Sequence, residues 1–132
     1  MKRGALAAAL LVAAGGCARV DPDAAAVAAA ADGFLAAQRD GAWPRAFESL
    51  HVNLRRRCDS VEALRAAVDA AATIPLSWTL DPPSVGRYTA SLHGAVQHRG
   101  GVVPLSLAFD RVDGGWAITA WAAGEHVPCR DP

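Results

Sequence analysis

Lysine is nearly missing from this sequence: Lys2 stands alone, and every other basic residue is Arg. With the excess of Ala, this reads as a bias of genome composition rather than as chemistry. Net charge of one sign is missing too, with formal charge +0 and pI near 6.9. A chain so balanced has no electrostatic footprint for nucleic acid. Large apolar side chains are scarce. Hydrophobic residues make up 52% of the chain, but many are Ala, which buries little area, so the core must come from four Trp, three Phe and scattered Leu, Val and Ile. No apolar run reaches the roughly 20 residues that cross a bilayer as a helix. Ligand spacings such as CxxC or HxxxH do not occur, so no metal site is expected. GxSxG, P-loop and dinucleotide fingerprints are also missing. Neither a catalytic residue nor a cofactor is therefore assigned from motifs.

What is present begins with Lys2 and Arg3, followed by the apolar stretch Ala5–Ala14 (ALAAALLVAA) and then Ala14-Gly15-Gly16-Cys17. A short basic start, an apolar run of about ten residues and small residues after it form a secretory signal pattern. Ala14-Gly15-Gly16-Cys17 resembles the lipobox of bacterial lipoproteins, although Ala14 stands where a larger aliphatic residue is usual. The resemblance implies residues 1–16 as a removed signal peptide and Cys17 as an acylated first residue, with 17–23 as a tether. The competing reading is ordinary cleavage near Ala18, with Cys17 discarded. Cleavage before Cys17 removes Lys2 and Arg3, leaving 11 basic against 13 acidic side chains. A lipid anchor, rather than a basic patch, would then hold the protein to its membrane, facing the periplasm or the exterior.

Three cysteines leave one to explain. If Cys17 carries lipid, Cys58 and Cys129 remain, and an exported chain meets an oxidising compartment where disulfides persist. The expectation is a Cys58–Cys129 disulfide. Free structural thiols are the alternative, and a reactive Cys58 beside Arg55-Arg56-Arg57 is the least favoured.

Residues 24–132 read as one domain. Asp21-Pro22 is an N-cap followed by Pro at the first helical position, and Asp40-Gly41 ends that helix. Its Ala-rich early part reads partly as tether, with Phe34, Leu35 and Val27 as the packing residues. Trp43-Pro44 restarts a helix in which Phe47, Leu50 and Leu54 form one stripe. Asp59-Ser60-Val61-Glu62 opens another, with Val61, Leu64 and Val68 at helical spacing. From Ile74 the period is two. Leu76–Leu80 alternates and ends at Asp81-Pro82-Pro83. A longer strand over 85–98 carries Tyr88, Leu92 and Val96 on one face. Gly100-Gly101 and Asp113-Gly114-Gly115 are hairpin turns. Between them Leu105, Leu107 and Phe109 share a face, and Pro104 suggests an edge or a bulge. In the last strand Trp116 and Ile118 share a parity that Trp121 lacks, so only a bulge near Thr119–Ala120 would turn Trp121 inward.

Helices followed by about four antiparallel strands make an α+β pattern with the helices on one sheet face. FLAAQRDGAWPRAFESL and FDRVDGGWAITAW resemble the nuclear-transport-factor-2-like family, also called cystatin-like or SnoaL-like. That resemblance implies a bent sheet around the helices, a cone whose open end can be a pocket. Enzymes of this kind hold an Asp or His inside the cone as acid or base. His93 and Arg87 have outward parity, His98 adjoins a turn, His51 sits at a helix break, and Asp81 and Asp110 read as solvated. Trp43, Trp78, Tyr88 and Trp116 are the candidates for lining a pocket, which would take a small apolar ligand. The expectation is a non-catalytic binding or interaction module at the cell envelope, with an envelope protein or such a ligand as partner. A small isomerase, dehydratase or hydrolase and a structural accessory subunit are its rivals.

Overall fold

The computed structural model describes residues 21–129. Four helices, α1 (Pro22–Arg39), α2 (Trp43–Glu48), α3 (Val52–Cys58) and α4 (Val61–Ala71), precede five strands. These are β1 (Ser77–Leu80), β2 (Ser84–Val85), β3 (Thr89–His98), β4 (Gly101–Val112) and β5 (Gly115–Ala123). All pairings are antiparallel, in the order β1-β3-β4-β5, with β2 beside β1 on the same edge of β3. The sheet is bent and open, and the helices pack on it, an α+β fold. The lipobox-like stretch and Cys17 lie outside the described residues.

The first helix starts as its sequence dictates. The Asp21 carboxylate accepts from the Asp23 amide at 2.9 Å, and Pro22 needs no donor at the first position. It is packed from its first turns, because Val27, Ala31, Phe34 and Leu35 are buried along one stripe. Helical structure therefore begins inside the span read as tether, and the Ala-rich part belongs to the domain. Ser60 caps α4 by accepting from the Ala63 amide at 3.1 Å, and Leu64 and Val68 are buried below it.

Phe47, Leu50 and Leu54 do not share a helix. The chain breaks at Ser49–His51, where Leu50 forms a parallel bridge to Ile118. The His51 amide donates to Ile118 O at 2.7 Å, and the Ile118 amide donates to Ser49 O at 3.0 Å. Backbone groups on the edge of β5 would otherwise lack partners, and this short segment covers them. Leu50 and Leu54 are buried all the same.

The strand expected over 85–98 is two strands. Gly86 N–H donates to Thr89 O at 2.8 Å, closing a turn through Arg87 and Tyr88. Tyr88 thus leaves the strand before its parity can matter and is 66% exposed, under the Arg87 guanidinium. Leu92 and Val96 are buried as their alternation requires, as are Leu105, Leu107 and Phe109. Pro104 lies just past the β4–β5 pairing, which ends at Leu105↔Ala123, so its missing N–H falls where that ladder stops. The β4–β5 turn has φ values of 50° at Asp113 and 80° at Gly114, the double positive φ that a two-residue hairpin favours. Gly94 faces the backbone of β1, and a Cβ there would collide with the carbonyl oxygen of Thr79. Only glycine lets β1 approach that closely.

The conditional bulge is real. Ile118 opposes Phe109 and Ala120 opposes Ala108, leaving Thr119 as the extra residue of β5. The parity switch turns Trp121 inward, where it meets Phe34 edge to face at 5.0 Å between ring centroids. Cys58 and Cys129 pair as a disulfide with Cα atoms 4.7 Å apart, bringing the tail after β5 onto the end of α3.

Candidate functional site

The four aromatic residues proposed for a pocket have different surroundings. Trp43 is buried in the core at the start of α2. Trp78 is half-buried; its indole N–H donates to Asp32 at 2.7 Å, and Arg39 stacks on its ring at 5.1 Å. Tyr88 is on the surface turn described above. Trp116 is half-buried under Arg111, at 4.4 Å, and lines a shallow hollow with His51, Val52 and Arg55. The space between α1 and the sheet is filled by Phe34, Leu92, Phe109, Ile118 and Trp121.

Concave surface gathers instead at the β5 bulge. Three adjoining hollows share Thr119. The first, about 220 Å³, is lined by His51, Asn53, Leu54, Arg57, Asp110 and Thr119. The second, about 210 Å³, shares Leu54, Arg57 and Thr119 and adds Trp121, Val127 and Pro128, with Cys129 at its wall. A third, about 490 Å³ and more open, continues past Asp110 over Ser84, Thr89 and Ser91. The fold assembles these walls from distant segments. The bridge at Leu50 sets α3 beside β5, the disulfide sets the tail beside α3, and the bulge projects Thr119 between them.

Two imidazoles, His51 in the site and His98 at the distant β3–β4 turn, are hydrogen-bonded in a definite sense. His51 Nδ1 accepts from the Asn53 amide at 3.2 Å as the N-cap of α3, which leaves the proton of the neutral ring on Nε2. His98 Nδ1 likewise accepts from the Gly100 amide at 3.1 Å. In both rings the lone pair that a general base would use is already engaged. His93 is exposed on the sheet face away from the helices. Asp81 is exposed at the end of β1, and Arg87 is exposed in the turn between β2 and β3 rather than on a strand face. Asp110, read as solvated, is half-buried and lines two of the hollows. Sequence reasoning missed this position because parity fixes a face of the strand and says nothing of what lies beside it. Among the described residues, no group of three His, Cys, Asp or Glu stands close enough to hold a metal ion. No helix among them is long and apolar enough to cross a membrane.

His126 follows β5, bridged to Ala123, with Nε2 buried and without a hydrogen-bond partner among the described residues. Burial pushes its pKa below the ordinary 6.5. The unfolded ring binds its proton at higher pH than the folded one. Stability is therefore complete above about pH 6.5 and declines as the pH falls from there toward the folded value. Thermal midpoints measured from about pH 7.5 to about pH 5.5 should fall in this window, and His126→Gln should flatten part of the fall. A parallel fall in wild type and variant would assign it to other groups.

Compared with known protein families and with curated proteins, the sequence matches none.

Proposed function

We propose that this is an exported lipoprotein, tethered to a membrane through acylated Cys17, whose single cystatin-like domain is a non-catalytic binding or interaction module at the cell envelope. One observation carries the reading: Cys58 and Cys129 pair with each other, so Cys17 is the cysteine left over. Disulfides persist in exported proteins, and a lone cysteine after an apolar run and two glycines suits lipid attachment. The non-catalytic part is supported by the engaged Nδ1 atoms of His51 and His98 and by the side chains that fill the interior.

The test is the non-reduced intact mass of the protein extracted from its own membranes. A chain starting at Cys17, carrying acyl groups and lacking two hydrogens, is expected. Cys17→Ser should release the protein from membranes with its unfolding midpoint unchanged. A mass starting after Cys17 without lipid, or a serine variant that stays membrane-bound, would overturn the anchor.

A further inference from the structure

The hollow between α3 and the β4–β5 pair carries both signs of charge, with Asp110 on one wall and Arg57 on another. Asp110 is half-buried, and its carboxylate has no hydrogen bond or ion pair among the described residues. A partly dehydrated carboxylate attracts a cation more strongly than an open surface carboxylate does. Arg57 has an interaction of its own, yet a guanidinium has five N–H donors to offer. The Thr119 hydroxyl, the Asn53 carboxamide and the His51 ring complete the polar lining. Across Leu54 and Thr119 the adjoining hollow is mostly apolar, walled by Ala120, Trp121, Val127 and Pro128.

Thr119 supplies an independent reason to look here. If β5 lacked that residue, Ile118, Ala120 and Trp121 could keep their partners Phe109, Ala108 and Leu107 in an unbroken ladder. Strand parity would still turn both Ile118 and Trp121 inward. The core thus does not need the bulge, whereas all three hollows contain its extra residue. Bulges re-aim side chains beside functional sites.

We propose that this groove binds a free apolar α-amino acid as its zwitterion. The ammonium sits on Asp110, the carboxylate on the Arg57 side, and the side chain against Trp121, Val127 and Pro128. Opposite charges in one hollow and apolar walls in the next complement such a molecule and no simple anion. The assignment deepens the binding-module reading and rests on it.

The test titrates the full chain, purified from membranes in detergent, with L-leucine by calorimetry. Saturable one-site binding is expected. N-acetyl-L-leucine, without the ammonium, and leucinamide, without the carboxylate, should each bind about tenfold more weakly or worse. Asp110→Asn should cost a similar factor with the unfolding midpoint unchanged. Should that variant fail to fold, the two altered ligands still decide the matter on the native protein. No saturable binding of L-leucine at millimolar concentration overturns the site, as does binding that N-acetylation leaves unchanged. Equal affinity for leucinamide overturns the zwitterion and leaves a simple amine. A lipidated protein that ignores leucine sinks the groove alone, and an unlipidated one that binds it sinks the anchor alone.

Discussion

Replacing Cys58 and Cys129 together by serine is expected to destabilise the domain by about 3–5 kcal/mol, the chain-entropy value for a loop of this length. The two positions are 71 residues apart in sequence, and the closed loop runs from the end of α3 through α4 and the whole sheet. The loss should come mainly through the unfolded state, which gains freedom once the cross-link is gone. Urea unfolding should therefore show a lower midpoint and also a steeper dependence on denaturant, because the freed chain exposes more surface. The single variant Cys129→Ser should lose nearly as much as the double one, since either removes the link. Domains of this size are stable by only about 5–15 kcal/mol, so the reduced protein should approach the margin of folding at growth temperature. A double variant within about 1 kcal/mol of wild type would show that the bond contributes little beyond the contacts around it.

Trp121→Ala is expected to cost about 3–5 kcal/mol, in the range for deleting a buried large aromatic. The indole is 5% exposed and packs edge to face on Phe34, a contact worth about 0.5–1.5 kcal/mol beyond the area it buries. It belongs to the layer joining α1 to the sheet, so the cavity would open at the centre of the domain. Here the loss lies in the native state, and the denaturant dependence should stay near that of wild type. That contrast separates the two variants even where their midpoints coincide. A cost below about 1 kcal/mol would mean that the ring faces solvent and that the bulge at Thr119 is absent.

Much of the architecture was legible in the residues. Asp21-Pro22 and Ser60 announce helix starts because orphan amides need acceptors and proline needs no donor. Asp113-Gly114 announces a hairpin because its backbone must reach positive φ. Leu105, Leu107 and Phe109 announce an inner face because side chains alternate along a strand. Each of these signals is local. One misreading was itself local, because the hydrogen bond from Gly86 to Thr89 carries Tyr88 off the strand. Another came where a distant backbone intervened, because Leu50 leaves its helix to bridge Ile118.

The candidate site was not legible at all, for the same reason. His51, Arg57, Asp110 and Thr119 come from three elements and the break before α3, and no spacing in the sequence relates them. Periodicity, capping chemistry and cysteine count determined by themselves the α+β order, the helix starts, the inward faces and the pair of cysteines to be joined. Tertiary structure alone decided the inward turn of Trp121, the cover on the β5 edge and the groove where Asp110 faces α3. Those outcomes depend on which backbone groups find partners across the chain, and local preference carries no information about that.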